Sequence, residues 1–124
     1  MDWSFIKQFH RNPPTIQLKR HPTMEKSYQK SKETSSKDYE GELYNRIFGD
    51  METDWALTPN DYPYNFSDGT RHYLLWFKGD VDYTLLEKGV EDLQCIYFEN
   101  LDSNKSIKSI RHVHLFIYPI PAFI

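Results

Sequence analysis

The sequence contains 124 residues, of which 39% are hydrophobic and 16% aromatic, and its formal net charge is −3. This length fits one domain with its own core, the composition excludes a disordered chain, and the single cysteine, Cys95, excludes an intramolecular disulfide and a cysteine-based zinc site. No apolar run reaches the roughly 18 residues of a membrane span, and the first residues lack the apolar core of a signal peptide. We therefore expect an intracellular protein, cytoplasmic or nuclear, with no membrane partner.

Charge is distributed unevenly along the chain. Residues 1–37 hold eight Lys and Arg against three Asp and Glu, whereas residues 38–124 hold seven against fifteen. We interpret this as a basic N-terminal arm, residues 1–37, ahead of an acidic domain, residues 38–124. Such an arm either faces nucleic acid or phosphate, or packs on the acidic domain as a solvated extension. The lack of a compact basic block in the sequence favours the second interpretation.

The first predicted elements are helical. Apolar residues at a spacing of three within residues 1–10 indicate a short amphipathic turn, which the adjacent prolines of "RNPPT" interrupt. A helix is predicted from Thr23, its N-cap, to Phe48, and Gly49 ends it. The segment "WALTPNDYPYNFSDGT", residues 55–70, is rich in turn-forming residues, so we predict an irregular connection there.

The second half of the sequence alternates between strands and helices. Apolar periodicity predicts a strand over 71–77, a helix over 82–93, a strand over 95–100, a loop over 101–109 and a last strand over 111–118. This order predicts an α+β fold in which helices flank an antiparallel sheet.

Two histidines, His112 and His114, lie in the last predicted strand, "SIRHVHLFIYP". Because alternate side chains of a strand share one face, both imidazoles are expected on the same face as Phe116. Neutral imidazole acts as a nucleophile, an acid or base, or a metal ligand. A metal would need a third ligand such as His72 or Asp61, and nothing in the spacing requires one, so neither metal nor cofactor is predicted. The structural alternative is one buried and one solvent-edge histidine.

A second polar segment, "NDYPYNFSDGTRHYLLWF", precedes this strand. It places Asn60 and Asn65 in a turn and His72 at the start of an apolar strand, where a sugar or phosphate is readily bound. Together with "HVHLF", this segment resembles the histidine-triad superfamily of nucleotide hydrolases and transferases over residues 55–119.

A closer resemblance covers almost the whole chain. The segments "NDYPYNFSDGTRHYLLW" and "IYFENLDSNKSIKSIRHVHLFIY" look like the largely uncharacterised family that includes the fungal N-acetylglucosamine-induced protein. The positions that match the pattern of this family are Asn60, Asp61, Tyr62, Pro63, Tyr64, His72, Trp76, Phe98, Asn100, Ile107, Lys108, Ser109, His112 and His114. This resemblance identifies relatives rather than a reaction.

The histidine-triad resemblance implies a role for each matched position. Asn60 would contact the ribose, His114 would be the nucleophile that attacks the α-phosphate, and His112 would orient it or hydrogen-bond to the backbone. Phe116 stands where the third histidine is expected, and "DSNKSIKSI" replaces the segment that donates to the phosphates. The nucleotide-binding groove would include Asn60, Asn65, His72, Lys108, Ser109 and Arg111. In this segment and directly after it, Lys105, Lys108, Ser109 and Arg111 would cradle phosphate oxygens, or else they are ordinary loop residues.

Two functions follow from these patterns. The first is a protein that binds a nucleotide or phosphate in a histidine-triad-like groove and acts as a nucleotidyl hydrolase or transferase through His114. The second is a non-catalytic interaction subunit, in which the scaffold and the basic arm, residues 1–37, bind a protein or RNA partner.

Overall fold

The computed structural model describes residues 1–34, 39–92, 94–102, 105, 107 and 109–118. Its helices are α1 (Trp3–Ile6), which continues into a 3₁₀ turn (Lys7–Phe9), α2 (Pro22–Glu33), α3 (Tyr39–Phe48) and α4 (Tyr83–Asp92). Its strands are β1 (Trp55–Pro59), β2 (Arg71–Phe77), β3 (Cys95–Phe98) and β4 (Arg111–Ile117). The strands form one antiparallel sheet in the order β1-β2-β4-β3. The predicted α+β fold, an antiparallel sheet with flanking helices, is confirmed.

The helix predicted from Thr23 begins one residue before its predicted N-cap. Pro22 occupies the first turn, where its missing N–H costs nothing, and Nδ1 of His21 accepts a hydrogen bond from the Thr23 N–H at 3.2 Å. The N-cap is therefore His21. Residues 35–38, in the middle of the predicted helix, lie outside the described residues. Gly49 ends α3 as predicted, with a φ of +46° that favours glycine.

Strand β1 lies in the segment that the sequence predicts to be irregular. It pairs with β2, with Ala56 opposite Trp76 and Leu57 opposite Leu75. As an edge strand it buries Ala56 and exposes the large side chains of Trp55 and Leu57, so its sequence shows no buried apolar run. An edge position also tolerates the proline at its end.

The two faces of the sheet carry different chemistry. On one face, α4 packs over a cluster made of Leu75, Phe77, Val81, Leu86, Tyr97 and Val113. On the other face lie His112, His114 and Phe116, as the alternation of β4 predicts. We call this second face the histidine face. Two apolar clusters flank its imidazoles: Ile6, Leu18, Tyr64, Ile96, Phe98 and Phe116 on one side, and Leu43, Phe48, Ala56, Trp76 and Ile110 on the other.

The first part of the basic arm packs on the sheet. Ile6 and Leu18 have 0% and 6% of their surface exposed and share a cluster with Phe116. The Arg11 N–H donates to the Tyr97 carbonyl at 2.8 Å, so this segment also covers the outer edge of β3. The arm also contacts acidic residues of the domain, because the Trp3 N–H donates to Asp68 at 2.8 Å and Arg11 lies 3.5 Å from Glu87. The predicted division at residue 37 separates side chains of one core cluster.

None of the helices in the described part of the chain has the length and apolar character needed to cross a membrane.

Candidate functional site

A cavity of about 590 Å³ lies on the histidine face, beneath α2 and α3 and above β2 and β4. We call it the histidine cavity. It combines imidazoles, cations, amides and aromatic rings from residues that are distant in sequence. Its polar and aromatic lining consists of Gln17, Arg20, Tyr28, Ser31, Lys32, Tyr39, Arg46, Thr58, Asn60, Tyr62, Tyr64, Trp76, Asn100, Lys105, His112 and His114, together with the carboxylates of Glu40 and Asp61.

His114 is held by a chain of hydrogen bonds that fixes its tautomer. The backbone N–H of Tyr64 lies 3.2 Å from Nδ1 of His72 and can only donate, so the proton of His72 is on Nε2. That Nε2 lies 2.7 Å from Nδ1 of His114 and donates to it, which leaves the proton of His114 on Nε2. The amide nitrogen of Asn100 is placed 3.0 Å from this Nε2, so this order of protons requires the amide to be flipped, with its oxygen as the acceptor. Both ring nitrogens of His114 are therefore engaged.

Burial keeps the two bonded imidazoles neutral. Removal from water, together with neighbouring His112 and the positive charge of Arg20, lowers the pKa of His114 to about 3. The same burial, with His114 and Arg20, holds the pKa of His72 well below its usual range. At pH 7 neither ring carries a charge, so the pair acts as a neutral donor and acceptor.

His112 differs from His114 in having one free ring nitrogen. Its Nδ1 donates to the Ile110 carbonyl at 2.9 Å, which places the lone pair on Nε2. Within the described part of the chain, Nε2 has no hydrogen-bond partner, and the ring lines the cavity. Its ring packs 4.7 Å from that of Trp76, whose indole N–H donates to the Thr58 hydroxyl at 2.9 Å. Burial lowers the pKa of His112 too, so this lone pair is present at neutral pH.

Two buried cations contribute to the cavity wall. The guanidinium of Arg20 donates to the Tyr62 carbonyl at 2.7 Å and contacts Glu25 at 3.2 Å. Lys105 lies 3.2 Å from Glu99 and 3.2 Å from Asp102. Both side chains are about nine-tenths buried, with exposed fractions of 10% and 11%, which places their charges close to the cavity.

Of the residues predicted in the turn before β2, the structure brings one into the cavity. Asn60 lines it, and its oxygen accepts from the Tyr62 N–H at 2.8 Å. Its amide nitrogen lies 3.4 Å from Nδ1 of His72, the acceptor of that ring, and 3.2 Å from the protonated Nε2. His72 lies behind His114 and faces a second cavity of about 350 Å³. Asn65 is exposed, lines that second cavity and donates its backbone N–H to the Lys19 carbonyl.

Of the residues predicted to bind phosphate before and at the start of β4, Lys105 lines the cavity, whereas Ser109 and Arg111 do not. Lys108 lies outside the described residues. The Ser109 hydroxyl and backbone N–H donate to Glu40 at 2.8 and 3.1 Å. Arg111 lies on the opposite face of β4, where it makes two 2.8 Å hydrogen bonds to Glu99. Strand alternation is the reason, because a side chain next to His112 in sequence points to the other face.

Phe116, the residue at the third histidine position, belongs to the core rather than to the cavity wall. It is fully buried, and its ring stacks 4.5 Å from that of His72. The Phe116 ring therefore packs against the bonded pair of His72 and His114 and helps to hold it in place.

Sequence reasoning missed Arg20 and Asn100. Asn100 stands in the family pattern quoted above, but its bond to His114 joins residues from different strand ends. Arg20 is indistinguishable in sequence from the other cations of the arm. The burial of Arg20 results from the packing of α2 over β4, so the sequence alone does not predict it.

The described residues contain no group of three or more His, Cys, Asp or Glu side chains arranged to hold a metal ion.

No family model and no curated protein matches this sequence. The fold is similar to that of HTC1, whose crystal structure aligns with a TM-score of 0.76 over 97% of this chain and 85% of the HTC1 chain. The two sequences are 19% identical, so the similarity concerns the fold.

Proposed function

We propose that this protein binds a nucleotide or a related phosphate-containing ligand in the histidine cavity. One observation carries the proposal: the free Nε2 of His112 belongs to the wall of a cavity that also contains cations and aromatic rings. Its volume, about 590 Å³, is in the usual range of small-molecule sites. Aromatic rings suit a base, and Arg and Lys suit phosphate oxygens.

The hydrogen bonds favour His112 over His114 as the group that meets the phosphate. A nucleophile needs a free lone pair, and His114 has both nitrogens engaged, whereas His112 has one engaged. The resemblance to the histidine-triad superfamily implies the nucleophile at His114. In our proposal His112 takes that role and His114, bonded to His72, supports the wall beside it.

A nucleotidyl transfer at this site would proceed in two steps. Nε2 of His112 forms a bond to the α-phosphorus while the bond from phosphorus to the leaving-group oxygen breaks. The ring then carries a positive charge, with its Nδ1 proton held by the Ile110 carbonyl at 2.9 Å. Water, or another acceptor hydroxyl, next attacks the phosphorus, and the P–N bond breaks to restore neutral His112. Binding does not require this turnover.

Thermal unfolding with and without ligands tests the proposal. The probes are AMP, a dinucleotide polyphosphate and a cap analogue, and the proteins are wild type, His112→Ala and His114→Ala. A ligand at 100 times its dissociation constant stabilises the folded state by about 2.7 kcal/mol, a clear rise in Tm. We expect this rise in wild type and a weaker one in His112→Ala, with Ser109→Ala as a control that keeps it. If none of the nucleotides raises the Tm of wild type, the proposal is wrong.

Catalysis has a separate readout. Wild type mixed with the dinucleotide polyphosphate, whose α-phosphorus carries a leaving group, and quenched in base is expected to carry a nucleotidyl group on His112, which mass spectrometry of a digest locates. A group on His114 instead would reverse our assignment of the two histidines.

The alternative function is an interaction subunit that binds a protein or RNA through the basic arm. The packing of the arm limits which of its residues can be changed to test this function. Ile6 and Leu18 are buried, so deletion of residues 1–37 would open the core and is not a clean test. Lys26 and Lys30 of α2 are exposed and can be changed without loss of the core. If Lys26→Glu and Lys30→Glu together abolish retention of an RNA or protein that wild type retains, this alternative is supported.

A further inference from the structure

Arg20 is the most firmly positioned cation of the histidine cavity. Its guanidinium carbon lies 4.0 Å from the centre of the Tyr28 ring and 5.5 Å from that of the Tyr64 ring. Its Nε–H donates to the Tyr62 carbonyl at 2.7 Å, and Nη1 contacts Glu25. A group fixed by two rings and two hydrogen bonds has little freedom left to lose when a ligand binds.

The hydrogen bonds of Arg20 leave some of the N–H donors of its guanidinium without a partner among the described residues. Arginine has five N–H donors, and the bonds to Tyr62 and Glu25 use Nε and Nη1. Among the described residues, Nη2 has no hydrogen-bond partner, while the side chain lines the cavity. A planar group with free donors on one edge matches the oxygens of a phosphate.

Hydrogen-bonding geometry, rather than net charge, distinguishes Arg20 from Lys105. Lys105 contacts Glu99 and Asp102, each at 3.2 Å, but Glu99 is shared with another cation and Asp102 is 90% exposed. Arg20 contacts Glu25, whose side chain is 41% exposed and partly screened by water. Of the two, only Arg20 presents a planar fork whose Nη2 is free in the described part of the chain, which suits two oxygens of one phosphate.

Arg20 and the His112 imidazole line the same cavity, and the rings of Tyr64 and His114 lie between them. The Tyr64 ring, over which the guanidinium lies, stacks on His114 with 5.7 Å between centres and 9° between planes. His114 is in turn 5.8 Å from His112, ring centre to ring centre. A ligand that contacts Nε2 of His112 has its remaining phosphate oxygens on the same side of the sheet as Arg20.

We propose that Arg20, a residue of the N-terminal arm, is the specificity-determining residue of the histidine cavity and selects ligands that carry a phosphate group. This inference rests on the proposed function, since it assigns the phosphate to one residue of that same cavity. It also gives the basic arm a role inside the binding site rather than on a separate partner.

Paired titrations with AMP and adenosine test the inference, because the two ligands differ only in the phosphate. The proteins are wild type, Arg20→Met and the control Lys19→Met, which removes an exposed cation beside Arg20 that does not line the cavity. Wild type and Lys19→Met are expected to prefer AMP. Arg20→Met is expected to bind AMP about 10- to 100-fold more weakly, as for loss of a hydrogen bond to a charged group, with adenosine affinity unchanged.

Glu25→Gln provides a second test, in which the affinity for AMP is expected to rise rather than fall. This test does not depend on whether Arg20→Met folds. Removing the carboxylate leaves the guanidinium less neutralised, so AMP is expected to bind more tightly than to wild type, and the gain is expected to shrink at high salt.

The outcomes separate the two proposals. If wild type binds neither AMP nor adenosine, the proposed function fails. If wild type prefers AMP and Arg20→Met keeps the same preference, or if Glu25→Gln leaves AMP affinity unchanged, the role of Arg20 is wrong and the proposed function stands.

Discussion

His72 and His114 lie next to each other on the histidine face, with Nε2 of the first 2.7 Å from Nδ1 of the second. They are diagonal neighbours, since His72 pairs with Phe116 and His114 with Leu74 in the register of β2 and β4. The bond joins two neutral rings in one fixed order of protons. It follows that the imidazole left to act on a ligand is His112.

We predict different tautomers for the three buried histidines. His72 and His114 are expected to carry their proton on Nε2, because the Tyr64 N–H occupies Nδ1 of His72. His112 is expected to carry its proton on Nδ1, which donates to the Ile110 carbonyl. Long-range ¹H–¹⁵N correlation spectra at pH 7 distinguish the tautomers. A spectrum with the proton of His112 on Nε2 would remove the free lone pair on which the proposed chemistry depends.

Stability is expected to fall as the pH is lowered through the range of histidine titration. Burial lowers the pKa of His72 and His114 in the folded state, whereas in the unfolded chain it is near 6.5. Below pH 6.5 the unfolded chain therefore binds protons that the folded protein does not. The free energy of unfolding is greatest above pH 6.5 and decreases at lower pH, by at most about 1.4 kcal/mol per pH unit for each histidine.

Urea unfolding between pH 5 and pH 8 measures this slope. Replacing His72 or His114 by Gln is expected to reduce it, even where the variant is less stable at every pH. Equal slopes in wild type and both variants would contradict the assignment of the slope to these two residues.

Restoring a histidine at position 116 is expected to damage the fold without creating activity. Phe116 is fully buried among Ile6, Ile96 and Phe98, so an imidazole there loses apolar burial and lacks a built partner. We expect Phe116→His to lower the free energy of unfolding by at least about 2 kcal/mol. Chemical denaturation measures the loss, with Phe116→Leu as an apolar control that loses less. A stable Phe116→His variant with greater nucleotide turnover would show that the position belongs to the site.

Arg111 is expected to be dispensable for the ligand. Its side chain lies on the face opposite the histidines and makes a bidentate pair with Glu99. Because it is 41% exposed, the pair contributes at most about 1 kcal/mol to stability. Arg111→Gln should therefore unfold at slightly lower urea and bind AMP as wild type does. If Arg111→Gln weakens AMP binding as much as Arg20→Met does, Arg111 belongs to the binding site and this prediction is wrong.

The strands that carry the histidines could be predicted from sequence, because each alternates or is wholly apolar. The sequence of β4 places His112 and His114 on one face without any knowledge of their neighbours. Strand β1 could not be predicted, because Trp55 and Leu57 are exposed at an edge and Pro59 resembles a turn residue. A sequence pattern predicts a strand through its buried apolar residues, and an edge strand such as β1 buries few of them.

The composition of the site was harder to predict than its location. Asn60 and the histidine pair were expected at the groove, and the structure places Asn60, His112 and His114 at one cavity. The resemblance predicts Ser109 and Arg111 at the groove, because the loop before β4 replaces the phosphate-binding segment of the histidine-triad superfamily. Arg111 is next to His112 in β4, however, and adjacent residues of a strand lie on opposite faces. Arg20 enters the cavity from a segment far away in the chain, so no local signal reveals it.

The burial of Ile6 beside Phe116 has a consequence for how the protein is made. The contact joins residues near the two ends of the described chain, so the cluster forms late, after a long loop has closed. During synthesis, Ile6 and Leu18 leave the ribosome long before their partner strand and stay exposed until it follows. We expect slow folding for a domain of this size, and an N-terminal segment that is vulnerable to proteases until β4 is complete.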